Sequence, residues 1–473
     1  MSIQPYRRAP YPRPVGVLLE SGKVLTEDGR KVPLHDIDDR TVLYASWRTA
    51  SRRAHRGIGR LFYFHDTPTR FEEPIRDYEH ARRARVFLLP DDGSTNADML
   101  AGLATIRDFL TSKGAAGTST TKRSVSLLRA TLDRPLYTFG GPDPVPIREV
   151  VGGRQETVRY GIWPRDFIGL DISGAYFNAL GRMHYGGRWE RITLDGLLEP
   201  QEPRQAFHNA RVTVPAGGLG PLPRRRRGPV KGRSIDRLDT LREYPVDLTF
   251  KGIWSNAELC SAERAGCDVK LLRSWIDTGD ISSQPFAAWH TAIDEARTLP
   301  GLAGTYGKML GNVLVGWLMS RPGPTYWFEW NPDNTIHRRG MLKGRTRPAH
   351  TSPLDLAELV TSTVRAKLND DVLVPFAPRV IGCHTDGVFL TGSETNPIPD
   401  GWRVKHRGTG IAFIHPQVWA YRNVDGWVYC YSGIPAPEVA RAFNESASQK
   451  FGKSWKRQIP TTREEPWQTT LIA

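Results

Sequence analysis

Two short apolar runs, each leading toward an aspartate, constrain this chain more than any other feature. FIGL runs directly into Asp171, and RVIGC runs into a polar tip holding Asp386 before a second apolar run returns in VFLTG. Branched and aromatic residues bounded by turn formers read as strands, so Asp171 lies at a strand end and Asp386 at the turn of a hairpin. Carboxylates on adjacent strand ends can converge. Phosphoryl transfer by the two-metal route needs at least two carboxylates to hold divalent ions about 3.5–4 Å apart. Taken alone, an Asp at a strand end is more often a turn or cap residue, and that reading stays open for either position.

Charge narrows the partners. The chain of 473 residues carries a formal net charge of +15, an excess that attracts polyanions by Coulomb steering and counterion release. Nucleic acid is therefore the leading partner class, although a genome rich in G and C would produce the same preference for Arg over Lys. Hydrophobic residues at 39% and aromatic residues at 10% are enough to fold, which excludes global disorder. A chain this long divides into two to four packed regions. The four cysteines, Cys260, Cys267, Cys383 and Cys430, form no CxxC pair and stand at no zinc-ligand spacing with His, which argues against structural zinc and a disulfide framework. No apolar run reaches about 18 residues, and the N-terminal residues carry no apolar signal core. A cytoplasmic, reducing setting without a membrane partner is the expectation.

Along the chain, TVLYASW and ARVFLLP read as strands and NADMLAGLATIRDFLTSKG as a helix ending on Gly, which makes residues 1 to about 145 a small α/β region. Residues 185 to about 250 are rich in Arg, Pro and Gly, include the run Arg224 to Arg227, and read as a basic insertion unable to supply a core of its own. SNAELCSAERAGCDVKLLRSW reads as a helix followed by a strand. PFAAWHTAIDEARTLPGLAGTYGKMLGNVLVGWL reads as helices broken near Pro300 and Gly301.

Five segments, in order, resemble the motifs of family B DNA polymerases, and in particular of their protein-primed branch. GGRQE at 152–156 resembles the YxGG and GGRxE element, and DISGAYFNAL at 171–180 the first palm motif DxxSLYP. TYGKM at 305–309 resembles the core of the fingers motif KxxxNSxYG, and CHTDGVFLTG at 383–392 the second palm motif YxDTDSxxLTG. KHRGTGIAFIHPQVWAYRNVDG resembles the segment carrying KxY, with Tyr421 at the tyrosine. The resemblance implies an origin in a phage, linear plasmid or mobile element.

The resemblance assigns roles. Asp171 and Asp386 would hold Mg2+ (or Mn2+), with the backbone carbonyl of Ile172 completing the ligand set, since Mg2+ shares oxygen ligands between carboxylates and substrate phosphates. Tyr176 would lie under the incoming sugar, Tyr306 against the nascent base pair, and Lys308 toward phosphate. Gly152, Gly153 and Arg154 would pass close to the template backbone, and Lys405, Arg407 and Tyr421 would contact DNA. Plainer readings remain for several of them: a core aromatic for Tyr176, a helix kink at Tyr306–Lys308, a hairpin turn for the glycines, and thumb core for Trp419.

The sequence also departs from the pattern. His384 replaces the first Asp of the second palm motif and Gly387 its Ser, while Phe177 replaces the proline of the first. Trp419 replaces the lysine of KxY, Leu299 stands where the fingers lysine belongs, and Ala303 replaces the asparagine. Arg297, two residues from Leu299, is the candidate substitute for the missing lysine. No DxE start to a proofreading exonuclease is evident.

The implied fold is α+β, a right-hand polymerase. It comprises a degenerate exonuclease-like region at 1–145, palm at 146–254 with the basic insertion, helical fingers at 255–320, palm at 321–400 and thumb at 401–473. The implied function is a template-directed DNA polymerase that adds deoxynucleoside triphosphates to a 3'-hydroxyl on template-primer DNA, with a terminal protein as one primer the resemblance admits. The alternative is a catalytically silent polymerase fold serving as a DNA-binding or assembly scaffold.

Overall fold

Phe167–Ile172, the strand that ends with Asp171, is buried along its whole length, and the sheet around it organises one half of the molecule. In a computed structural model, the described residues fall mainly within 12–46, 94–224, 244–319 and 354–431, with strand segments at 2–3, 63–65, 86–89, 325–330 and 336–342. Arg225 to Arg227 and everything after 431 lie outside them. The chain divides into two compact units, one comprising 1–140, 180–188 and 279–357, the other 141–179, 189–278 and 358–473. Residues 255–278 and 279–320, expected together as fingers, thus fall in different units.

The second unit carries a five-stranded antiparallel sheet. Its strands are β1 (Arg154–Thr157), β2 (Phe167–Ile172), β3 (Val380–Thr385), β4 (Gly387–Thr391) and β5 (Trp402–Gly408), in the spatial order β5-β2-β4-β3-β1. Side chains alternate across a strand, and β2 uses both faces. Ile168, Leu170 and Ile172 pack with Ala175 of helix α1 (Ala175–Gly181) and with Val364, Leu368, Val372 and Leu373 from helix α3 (Leu354–Leu368) and the turn after it. Phe167 packs on the other side with Ile381, Phe389, Ile411, Phe413 and Trp419, residues that include the antiparallel strands 410–415 and 418–423. Apolar cover on both faces explains why FIGL is a continuous apolar run rather than an alternating one. Strand β5, expected within the thumb, is hydrogen-bonded directly to β2.

A second sheet of this unit joins strands 189–192, 206–214, 248–255 and 268–277. The reading of 185–250 as unable to supply a core is corrected here. Ala210, Val212 and Val214 alternate inward from strand Ala206–Val214 and pack with Leu222, Trp254 and Leu259. The Arg and Pro content around this strand masked its period-2 pattern. The helix and strand expected in SNAELCSAERAGCDVKLLRSW are present as α2 (Asn256–Arg264) and the strand Asp268–Asp277, with Ser255 and Glu258 forming a reciprocal cap at the helix start.

The first unit contains a mixed six-stranded sheet from residues 15–89, parallel across three of its pairs, and helices at Asn96–Ser112, Thr120–Thr131, Ala287–Arg297 and Leu302–Met319. The break near Pro300 and Gly301 is present, with Gly301 at φ +59. Gly307 has a packing cause, because a Cβ there would stand 2.6 Å from the backbone carbonyl carbon of Ala296. The four cysteines are free thiols. Among the described residues, no helix is long and apolar enough to cross a membrane.

Candidate active site

Strand pairing brings the two aspartates to one end of the sheet. Asp171 lies opposite Gly387 on β4, and the Ile172 amide donates to the carbonyl of Asp386 at 3.0 Å. Burial pushes the Asp386 carboxyl above its ordinary value; a hydrogen bond from Thr385 opposes this, and the charge of Asp171 adds to it. Asp386 therefore lies within reach of the charge on Asp171.

The turn that presents Asp386 is strained. Thr385 has φ +61, a left-handed conformation that is an outlier for a β-branched residue. Its hydroxyl lies 2.7 Å from both the His384 carbonyl and Asp386 Oδ1, so a single proton chooses between two acceptors. Burial holds the His384 imidazole below its usual value, against the pull of Asp386. Backbone strain of this kind costs about 1–3 kcal/mol and persists where its surroundings enforce it. Here the enforcing element is β1, where Arg154 pairs with Thr385. Next to it, Gly153 allows a close approach: a Cβ would collide with the Tyr176 hydroxyl and lie 2.9 Å from the Thr385 Cα. Gly153, Tyr176 and Thr385 thus meet at one point, joining three segments that are distant in the sequence.

Strand β5 supplies positive charge. Arg403 stands directly opposite Asp171, and its Nη2 donates to Oδ2 at 3.0 Å. Lys405 Nζ donates to Oδ1 at 2.9 Å. The ladder passes from Val404–Leu170 to His406–Gly169, leaving Lys405 without a Cα partner on β2. Lys405, two residues from Arg403, shares its face of the strand and reaches the same carboxylate. His406, held down to about 4 by burial and then by Lys405, stacks on Phe389. Arg403 and Thr385 were not singled out by sequence. The alternation of Arg403 with Lys405 is visible in WRVKHRG, but the register that aims both at Asp171 is not.

Other expected residues are placed differently. Arg154 is corrected from a DNA contact to an internal strut, because it is 1% exposed. Its guanidinium bonds Glu156 and Asn369, each at 2.9 Å, and lies 3.9 Å from the Tyr244 ring centre, so its charge is spent inside. Gly152 uses its carbonyl to accept from Arg365 at 2.8 Å. Tyr306 is fully buried in the first unit, accepting from Thr120 at 2.7 Å and meeting Tyr44 edge-on. A ring enclosed in this way is a packing residue here rather than one that faces a nucleotide. Arg297 and Lys308 are exposed in the same unit, with Arg297 paired to Asp294 at 3.2 Å. Arg407 is exposed and donates to the Ser393 carbonyl at 3.2 Å. Tyr421 is partly buried, stacked on Trp419 and beside His406.

The donor set suits Mg2+. Among the described residues, no three His, Cys, Asp or Glu side chains gather as a metal site, so an ion here would draw on Asp171 and Asp386 together with non-side-chain oxygens. Mg2+ is typically held in that way, by one or two carboxylates plus substrate phosphates.

No family model matches the chain, and no curated protein sequence matches it. Solved structures do resemble it. Phi29 DNA polymerase complexed with primer-template DNA and incoming nucleotide substrates aligns at a TM-score of 0.50 and 14% identity, over 81% of this chain and 69% of that one. The same polymerase in its post-translocation binary complex with primer-template DNA aligns at 0.48 and 12%, over 88% and 75%. The family B DNA polymerase from the archaeon Pyrobaculum calidifontis gives 0.31 and 13%, over 93% and 65%. At this identity the likeness concerns fold, and the first alignment carries it: the chain has a mixed α+β architecture similar to that of Phi29 DNA polymerase.

Proposed function

We propose that this chain is a template-directed DNA polymerase of family B type, acting on template-primer DNA and deoxynucleoside triphosphates. The carrying observation is the meeting of Asp171 and Asp386 at the ends of adjacent antiparallel strands, in a chain whose fold is similar to that of Phi29 DNA polymerase. Mg2+ or Mn2+ held by these two carboxylates would supply charge neutralisation and an activated 3'-hydroxyl. The protein's own part is positioning and electrostatics. The Thr385 hydroxyl orients Asp386, β1 fixes the turn, and Lys405 and Arg403 place positive charge where phosphates arrive. Tyr176, whose hydroxyl packs against Gly153 beside Thr385, would shape the sugar pocket. Lys405, Arg407 and Tyr421 extend a DNA-facing surface along β5 and the following sheet. Protein priming, an origin in a phage or mobile element, the palm, fingers and thumb boundaries, and nucleotide contacts by Arg297 and Lys308 complete the reading.

Primer extension on a short template-primer with Mg2+ and then Mn2+, comparing the wild type with Asp386→Ala, tests it. Extension by the wild type and none by the variant is the expected result. No extension by either, with duplex binding that falls steeply with salt, would establish the silent scaffold in its place.

A further inference from the structure

Asp171 is a nearly enclosed anion whose partners are open to water. Its side chain is 6% exposed, while those of Arg403 and Lys405 are 52% and 49% exposed. Each carboxylate oxygen has its own cation, Oδ2 with Arg403 and Oδ1 with Lys405. A metal that used Asp171 would need the same oxygens. The anion cannot move away, because β2 is paired on both sides at this residue. The two cations can, because each is a long side chain with half its surface in solvent. Lys405 lies two residues from Arg403 on the same strand, so the two long side chains share a face and reach the two oxygens of one acid.

We propose that Arg403 and Lys405 are exchangeable counter-ions of Asp171: a divalent cation competes with them for the carboxylate, and the side chains it displaces take up nucleic-acid phosphate. This rests on the reading of Asp171 as a metal ligand, and it makes the phosphate contacts of Arg403 and Lys405 depend on the metal. Metal and DNA then bind with positive coupling through two side chains, and removing those side chains has opposite effects on the two ligands. Metal affinity rises because a competitor is gone, whereas DNA affinity falls because two phosphate contacts are lost. A purely structural ion pair would not split the two in this way.

The test uses the full chain and two direct binding readouts. Free Mn2+ is titrated by electron paramagnetic resonance without nucleotide, and labelled template-primer binding is followed by anisotropy over a series of KCl concentrations, with Mn2+ or with EDTA. Arg403→Gln with Lys405→Gln is expected to bind Mn2+ several-fold more tightly than the wild type. With Mn2+ present, its slope of log affinity against log salt should be shallower by about one per charge removed. The conservative pair Arg403→Lys with Lys405→Arg should return both values toward the wild type. Unchanged or weaker Mn2+ binding by the Gln variant, with a wild-type circular dichroism spectrum, overturns the exchange. If the wild type binds no Mn2+, or Asp171→Asn binds it equally well, the metal-site reading falls and the exchange falls with it.

Discussion

The second unit holds two assemblies of opposite charges, and they are built on opposite plans. In one, Arg365 is 1% exposed and bonds Glu258 and Glu358, each at 2.8 Å, with the two acids equally enclosed; the same guanidinium donates to the carbonyls of Val151 and Gly152. In the other, Asp171 is enclosed while Arg403 and Lys405 are half in water. The first ties α2, α3 and the segment before β1 into one piece, and every charge in it has a fixed partner. In the second, only the anion is fixed. A sealed network holds shape, whereas one open on the cation side leaves room for another ligand.

The largest effect should come from breaking the sealed assembly. Arg365→Met leaves two acids buried without their cation, and the loss of one member of such a network costs about 3–5 kcal/mol. Urea unfolding of the second unit should show a loss of that size. A change below about 1 kcal/mol would mean that the cluster admits water and is no more sealed than the open one.

Protonation offers a milder way to stress the interior. His208 is fully buried beside Ser274 and Asn256, and burial lowers it from 6.5 to about 4. The unfolded chain therefore binds a proton that the folded chain refuses between those values. Its contribution is fully present above pH 6.5 and is lost as pH falls toward 4. From pH 7 to 5 the loss is roughly 2 kcal/mol, and His208→Gln should flatten that part of the stability profile. A profile of unchanged slope in the variant would assign the acid sensitivity elsewhere.

Thr385 brings strain to the open side of the comparison. Thr385→Gly accommodates φ +61 without a Cβ penalty, a relief of about 1–2 kcal/mol partly offset by about 0.4–1 kcal/mol from the greater freedom of the unfolded chain. Stability should rise slightly or hold, while primer extension falls because Asp386 loses the hydroxyl that orients it. Thr385→Ser should keep the extension. Loss of extension in the Ser variant as well would show that the methyl, not the hydroxyl, sets the turn.

The two assemblies also differ in how far they could be read from the sequence. FIGL before Asp171 and the hairpin around Asp386 were legible because buried strands leave continuous apolar runs, and residues at their ends inherit a position. Arg154 misled because GGRQE looks like an exposed turn, whereas its partner Asn369 lies 215 residues away and no local pattern announces it. Arg365 and its two acids were invisible for the same reason, since a charged residue in a helix reads as solvated until packing shows otherwise. Tyr306 sat in the Tyr-Gly core of a motif whose lysine and asparagine are missing, and its neighbours Tyr44 and Thr120 come from elements that the motif does not mention. Arg403 lay one register decision away, because only the pairing of β5 with β2 puts it opposite Asp171.

The smallest effect on stability should come from the open assembly, and it separates the two most cleanly. Arg403→Gln removes one of two solvent-facing partners of Asp171, and pairs of this exposure contribute about 0–1 kcal/mol. Lys405 remains at 2.9 Å from the other oxygen, so the carboxylate keeps a counter-ion and the fold keeps its midpoint within that margin in urea. Function should not be so forgiving, since the same substitution removes a charge from the surface expected to meet phosphate. A variant as stable as the wild type but weaker on DNA is what an open assembly predicts. A loss of several kcal/mol would instead place Arg403 with Arg365, as a residue whose charge the fold cannot do without.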